Sequence, residues 1–368
     1  MNIVVTGSNG FIGKNLCMML RESGFNDIYE INRSTSYSQL LELLNNADFV
    51  YHLAGINRPK DEIEFKQGNT DFTQLITEIL SQKSKKTPLV ISSSTQADND
   101  NAYGRSKLFA ERIVEKYGWD TGVPVYIYRL PNVFGKWCRP YYNSFIATFC
   151  HNVINGIDLT INDYNAQVTL VYIDDVCRGL ISLLNLSMPS GFQSIEPEYH
   201  TSVGIVADMI FSFKDSRSNL ITEDVGVGFS RALYSTYLSY MNPLQFSYTI
   251  PSYGDYRGVF SEMLKTKSAG QFSFFTAHPG VTRGGHYHHS KNEKFLVLKG
   301  TALYKFEHVL THEKYDLIVS GEDFRIVETV PGWSHDITNI GEDDMIVMLW
   351  ANEIFDRNKP DTFSYLLK

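Results

Sequence analysis

The sequence predicts two unlike folds in succession: an α/β fold with a doubly wound parallel sheet over residues 1–243, then an all-β barrel or double-sheet roll over residues 244–368. Three observations carry this. Short β-branched runs alternate with helical segments in the first part. Helical periodicity then stops, and short strand-like runs separated by Gly, Pro, Asn and Asp take over. The texture changes at 239-SYMNPLQFSYTIPSYG-254, the expected junction.

In the first part, "NIVVTG", "DIYEINR", "ADFVYHLAG", "TPLVISSS" and "PVYIYRLPN" read as buried strands. Between them "KNLCMMLRES", "QLLELLNN", "FTQLITEILSQ" and "SKLFAERIVEKY" read as helices. The stretch 186–230 has no clear pattern and receives no assignment. In the second part the strands are expected at "QFSFFTAH", "KFLVLKG", "ALYKFEHV", "YDLIVSG" and "MIVMLWAN".

Composition bounds the function. A chain of 368 residues has room for two domains of about 150 residues each. With 43% hydrophobic and 20% charged residues, each domain can bury a core. A net charge of -8 argues against wholesale binding of nucleic acid or acidic membranes, but leaves room for a local basic pocket. Cys17, Cys138, Cys150 and Cys177 lack CxxC spacing, so neither a disulfide framework nor a thiolate metal site is expected. A strand-like run starts at Asn2, leaving no room for a signal peptide, and no apolar run is long enough to span a bilayer. A reduced, cytoplasmic protein is expected.

"VVTGSNGFIG" places Gly7, Gly10 and Gly13, with Phe11 and Ile12 between them, directly after a strand and at a helix start. Glycine permits the tight turn and close backbone approach, and the helix N-terminus favours a pyrophosphate. The spacing is GxxGxxG. Where an NAD-binding acid is expected past the turn stand Asn32 and Arg33, and a guanidinium there suits the ribose 2′-phosphate of NADPH. The alternative leaves Arg33 in solvent and Glu30 on the ribose.

In 91-ISSSTQADNDNAYGRSKLFAER-112, Tyr103 and Lys107 are four apart and share one helix face. A cation beside a phenol is expected to lower its pKa and equip it to shuttle a proton. Tyr287 and Lys291 repeat the spacing, but on a strand it has no such meaning. Only the first pair follows a strand ending in a serine cluster.

On these residues, the chain up to about residue 240 resembles the extended short-chain dehydrogenase/reductases, a Rossmann-type family. The resemblance implies that Ser94, Tyr103 and Lys107 are catalytic and that Gly7, Gly10, Phe11, Ile12 and Gly13 form the cofactor turn. It also places "HLAG", with Leu53, Ala54 and Gly55, beside the adenosine. "RLPNVFG", from Arg129 to Gly135, and "VYIDDV" resemble further family segments. Lys136, Thr169 and Leu170 depart from the family pattern and bear on sugar recognition.

In 280-GVTRGGHYHHSKNEKFLVLKG-300, His286 and His288 alternate along a strand and point the same way. Glu293 comes after a turn, and "PGWSH" presents His335. Three imidazoles and a carboxylate suit a divalent metal, zinc first, with iron, manganese or nickel as alternatives. His289 is the spare of the run and is expected to face away. The run resembles the first cupin motif, and 321-GEDFRIVETVPGWSHDITN-339 resembles the second, departing at Pro331. The resemblance implies a cupin barrel with a bound metal at His286, His288, Glu293 and His335. "DYRGVFSE" and "GVTRGGHY" also resemble segments of sugar-nucleotide 3,5-epimerases, in which the histidine matching His286 is a base. A ligand role is preferred because all four ligand positions are filled.

Taken whole, the chain resembles bifunctional capsule-polysaccharide enzymes that join a sugar-nucleotide reductase to an epimerase barrel. "YNSFIATFC", "LYSTYLSY", "KNEKFLV" and "NEIFDRNKPDT" extend the match. The resemblance implies a UDP-linked 4-keto-6-deoxy amino sugar, UDP-2-acetamido-2,6-dideoxy-β-L-arabino-hexos-4-ulose. The barrel would epimerise it at C3, and the first domain would reduce C4 with NADPH. The implied product is UDP-N-acetyl-6-deoxy-L-talosamine, a precursor of UDP-N-acetyl-L-fucosamine, made by a cytoplasmic homodimer. One rival is a reductase whose barrel only dimerises. The other is an NADPH-binding redox regulator, against which the intact Ser94, Tyr103 and Lys107 set speaks.

The 2′-phosphate assignment makes a direct prediction. A charge-assisted hydrogen bond is worth about 1.5–3 kcal/mol, so Arg33→Ala should weaken NADPH roughly 10- to 100-fold and NADH little. Titration of both cofactors measures this, and equal losses would remove the assignment.

Overall fold

A computed structural model describes residues 1–185, 188–358 and 360–367. Leu186 and Ser187, which open the unassigned stretch, and Lys359, within the "NEIFDRNKPDT" match, lie outside the described residues. The chain divides into two compact units: Met1–Ile210 with Ala232–Met241, and Phe211–Arg231 with Asn242–Lys368.

The first unit is built on β1 (Ile3–Thr6), β2 (Ile28–Ile31), β3 (Phe49–His52), β4 (Leu89–Ser94) and β5 (Val125–Leu130). Four more strands come next, β6 (Asn132–Phe134), β7 (Gln167–Tyr172), β8 (Gly191–Gln193) and β9 (Tyr199–Ser202). Six of them form one sheet in the order β2-β1-β3-β4-β5-β8, and every pairing in it is parallel. The remaining three form a small sheet, β6-β7-β9.

Period-2 alternation makes the large sheet two-sided. Ile3 and Val5 pack with Leu16 and Leu20 of the helix Phe11–Glu22 and with Val176 and Leu180 of Ile173–Ser182. Val4 and Val50 face the other way, onto Leu40 and Leu44 of Tyr37–Asn46, Ile76 and Leu80 of Phe72–Ser81, and Val114 of Ala102–Thr121. This is the expected doubly wound arrangement. The chain reverses its direction of travel across the sheet between β1 and β3, so their carboxyl ends open a crevice where ligands bind in such folds.

The unassigned stretch contains β8, β9, the helix Val203–Asn219 and the start of the helix Gly228–Leu238. Val206, Ala207, Ile210 and Phe213 give the first of these helices a buried face, but Ile205 and Phe211 are half-exposed and blur its period.

The second unit is mostly β. Its strands are β10 (Ile221–Thr222), β11 (Ser252–Asp255), β12 (Gly258–Thr266), β13 (Gly270–Ala277), β14 (Thr282–Tyr287) and β15 (Glu293–Lys299). They continue as β16 (Thr301–His308), β17 (Lys314–Ser320), β18 (Ile326–Glu328), β19 (Trp333–Asn339), β20 (Met345–Ala351) and β21 (Phe363–Ser364). Seven form one sheet, β10-β12-β13-β20-β15-β18 with β11 against β12; five form another, β17-β16-β19-β14-β21. Among the described residues the strands make two sheets and no single closed barrel. Phe275, Phe295, Val297 and Val347 of the first sheet share a core with Tyr304, Phe306 and Ile337 of the second.

One irregularity in β14 sets the placement of a histidine pair. The β14–β19 register shifts between Gly284 and His286, which brings His286 opposite His335. Gly284 makes the bulge possible. Its φ is +118°, and a Cβ there would lie 2.4 Å from the His335 carbonyl oxygen.

Candidate active sites

The crevice above β1 and β3 is a cleft of about 1530 Å³. Gly7, Gly10, Phe11, Ile12, Gly13, Arg33, Leu53, Ala54, Gly55, Ser94, Tyr103 and Lys107 all line it. Two of the glycines are there because backbone must approach backbone. A Cβ on Gly7, whose φ is +69°, would lie 2.7 Å from the Ala54 backbone, and one on Gly13 would lie 2.2 Å from the Gly7 carbonyl oxygen. Gly10 caps the helix Phe11–Glu22 with extended backbone, leaving the helix N-terminus open to the cleft. Glu30, the alternative ribose partner, is not part of the cleft wall; its carboxylate pairs with Arg21 at 2.5 Å.

Tyr103 and Lys107 sit one turn apart near the start of Ala102–Thr121, a helix capped by Asn101, whose side chain accepts from the Gly104 N–H at 2.8 Å. Ser94 ends β4. The Lys107 ammonium is buried and donates to the Ser92 carbonyl at 3.0 Å. Burial pushes its pKa down to about 8, against a smaller upward pull from Glu111. The expected lowering of the Tyr103 phenol is not met. Burial raises it, and the Ser94 hydroxyl beside it draws it partly back. Tyr103 packs on Phe65 with ring centres 5.5 Å apart, and that apolar contact favours the neutral phenol.

Several supporting residues carry no signal in the sequence. A Cβ on Gly55 would meet Asn69 Oδ1 at 3.0 Å and Lys107 Nζ at 3.1 Å, so the "HLAG" loop lies directly on the lysine. Asn69 accepts from the Ile56 N–H at 2.8 Å, donates back to its carbonyl at 3.1 Å and donates to the Ser106 hydroxyl at 2.9 Å. It thereby ties that loop to the helix of Tyr103. His52 is fully buried between Thr6 (2.7 Å) and Thr73 (2.9 Å), and burial, with Lys107 nearby, depresses its pKa to about 3. Buried Glu111 accepts two hydrogen bonds from Arg129, at 2.9 and 2.7 Å, and one from Ser93. Arg129 Nη1 reaches Asp98 at 2.7 Å. Of the departures from the family pattern, Lys136 pairs with Asp174 at 2.5 Å and Thr169 meets His200 at 3.1 Å. All four cysteines are free and buried.

In the second unit, ligand atoms of His286, His288, Glu293 and His335 lie within 4.8 Å of one another. Glu293 Oε2 is 3.5 Å from His288 Nε2 and 3.6 Å from His335 Nε2. His288 Nδ1 donates to the Asp361 carbonyl at 2.5 Å, which leaves Nε2 as a buried lone pair aimed into the cluster with no hydrogen bond of its own. That is the orientation a ligating imidazole needs, so the residues fit a divalent cation. Burial, reinforced by His335 and His288, lowers His286 to about 4 and keeps it neutral, the form that ligates. Burial opposes ionisation of Glu293, but His288, His335 and Lys291 outweigh it and hold the carboxyl well below its usual range. His289 is exposed, edge-on to the Phe363 ring and outside the cluster.

Asp361, on the segment before β21, lies within the "NEIFDRNKPDT" match, which says nothing of its role. Its carboxylate accepts from the N–H groups of His289, Ser290 and Lys291 at 2.9, 2.7 and 2.7 Å. Together with its carbonyl on His288, it fixes the whole ligand-bearing turn. Loss of an outer hydrogen-bond partner typically costs a metal site 10- to 100-fold in affinity. Asp361→Ala keeps the carbonyl on His288 but removes the carboxylate that holds the turn, so divalent metal added to the variant should bind more weakly than to wild type, by up to about that factor. Competition with a chelator of known affinity measures it, and unchanged affinity would leave Asp361 with a loop-folding role alone.

Two family models match separate parts of the chain. Residues 3–191 match the NAD dependent epimerase/dehydratase family, and residues 253–363 match the polysaccharide biosynthesis C-terminal domain. The chain is 53% identical over 365 residues to the UDP-2-acetamido-2,6-beta-L-arabino-hexul-4-ose reductase of Pseudomonas aeruginosa, covering 99% of this chain and 98% of that one. A crystal structure of the capsular polysaccharide assembling protein CapF from Staphylococcus aureus superposes with a TM-score of 0.92 at 41% identity, covering 100% of both chains. A UDP-glucuronic acid 4-epimerase from Bacillus cereus, 21% identical with a TM-score of 0.55, shares the fold over 65% of this chain and 99% of its own. Among the described residues no helix is long and apolar enough to cross a membrane. The family match to the first unit and the full-length relatives agree, and the chain belongs to the NAD dependent epimerase/dehydratase family.

Proposed function

We propose that this chain is a bifunctional sugar-nucleotide enzyme, with an NADPH-dependent reductase over residues 1–243 and a metal-bearing, cupin-type epimerase over residues 244–368. The substrate is a UDP-linked 4-keto-6-deoxy amino sugar, UDP-2-acetamido-2,6-dideoxy-β-L-arabino-hexos-4-ulose. The second domain inverts C3 and the first reduces C4, giving UDP-N-acetyl-6-deoxy-L-talosamine in a cytoplasmic homodimer. The observation that carries the reading is the single cleft lined by Ser94, Tyr103 and Lys107 together with the glycine turn and Arg33. The name of the Pseudomonas aeruginosa relative supports the keto-sugar class.

NADPH, when bound, supplies the hydride to C4. Tyr103 gives the C4 oxygen its proton, and the raised phenol pKa keeps that proton in place until negative charge develops on the oxygen. Ser94 donates to the same oxygen. Lys107, buried and cationic, stabilises the phenolate left behind.

The ketone at C4 acidifies the proton at C3, which lets a second site remove it and return it from the opposite face. His286, His288, Glu293 and His335 would hold a divalent ion, which would supply positive charge near the substrate or brace the strands. Arg283 supports an anionic substrate in this unit. Its guanidinium is part-buried on the Phe275 ring; burial first, then its neighbour Arg257, disfavours its charge, and Asp255, which pairs with Arg257 at 2.6 Å, offsets this in part. A bound diphosphate would favour the charged form further.

Because the two steps use different domains, Tyr103→Phe should separate them. C4 reduction, followed by NADPH absorbance, should fall by about 10²- to 10⁴-fold, the usual contribution of a positioned acid. Deuterium exchange at C3 should continue at the wild-type rate. Loss of both activities in a folded variant would contradict two independent sites.

A further inference from the structure

The second YxxxK spacing, Tyr287 with Lys291, has no catalytic meaning on a strand, yet the structure gives its lysine an unusual place. Lys291 is 8% exposed, very low for a residue that rarely leaves water. Its ammonium lies 2.8 Å from Glu293 Oε1 and over the Phe355 ring at 5.8 Å. The other carboxylate oxygen, Oε2, is the one that faces His288 and His335. The two oxygens of Glu293 therefore have divided tasks: one meets a fixed cation and the other meets the imidazoles.

We propose that Lys291 is a positioning residue that limits Glu293 to one oxygen toward a bound divalent ion and weakens the hold of the site on that ion. The inference rests on the metal reading of the cluster. Two arguments carry it. An ammonium hydrogen-bonded to Oε1 competes for that oxygen, so the carboxylate cannot turn both oxygens inward without breaking a buried ion pair. A second positive charge a few ångströms from a dication is repulsive, and in a partly desolvated site that repulsion is poorly screened. With three neutral imidazoles and one carboxylate, the ligand set carries a single negative charge, and Lys291 cancels it. The site is thereby built for an exchangeable ion.

Cobalt(II) tests this without recourse to activity, because its visible absorption is intense in four-coordinate sites and weaker when a fifth oxygen binds. Full-length wild type, Lys291→Met and Lys291→Gln are stripped of metal and titrated with cobalt(II). Lys291→Met removes charge and donor together; tenfold or tighter binding with a weaker visible band is expected. Lys291→Gln keeps a donor for Oε1 without the charge; tighter binding with the wild-type band is expected. It also serves if the methionine variant does not fold. Affinities equal to or below wild type in both variants, with unchanged bands, would overturn the proposal. Wild type that takes up no cobalt would instead remove the metal reading itself.

Discussion

Burying charge is the constraint on which both units depend. Each holds ionisable side chains where water cannot reach them, and an interior tolerates this only if every such group has a partner of fixed geometry. In the first unit the groups are Lys107 and Glu111, the latter paired with part-exposed Arg129; in the second they are Glu293 and Lys291. Much of the surrounding architecture serves to supply those partners. The Ser92 carbonyl receives Lys107, Ser93 and Arg129 satisfy Glu111, and the turn fixed by Asp361 places Lys291 against Glu293.

The two sites solve the problem differently because their chemistry differs. A hydride site needs a cofactor bed of bare backbone, hence Gly7 and Gly13 packed to distances that no side chain permits. The proposed reduction also needs a proton donor that stays protonated until needed, and burial holds the Tyr103 phenol neutral. The imidazole cluster needs lone pairs converging from separate strands. The bulge at Gly284 and Gly285 brings His286 into register with His335, and the Asp361 carbonyl turns the ring of His288.

What could be read in advance depends on what each feature demands of sequence. The parallel sheet was legible because buried strands need continuous β-branched runs and the covering helices need an apolar stripe. The residues of the glycine turn, the YxxxK pair and the histidine run were legible because each chemistry fixes residue type and spacing along one segment. Asn69, Glu111 and Asp361 were not, since their roles arise from contacts across the fold: Asp361 meets His289 from 72 positions away. The upward shift of Tyr103 was hidden for the same reason, as it depends on Phe65 and on burial, not on Lys107 one turn along. For the second unit the strand pattern left a barrel and a double-sheet roll both open, because it identifies strands but not their partners, and the two sheets match the second of these.

The central claim is that one polypeptide carries two separable reactions on the same sugar. The most direct measurement incubates the purified protein with the UDP-linked 4-keto sugar in heavy water, first without NADPH and then with it. The account predicts one deuterium at C3 before any cofactor is added, and NADPH oxidation with loss of the ketone afterwards. NADPH oxidation with no deuterium at C3 under either condition would contradict it, leaving a reductase joined to a domain without chemistry of its own.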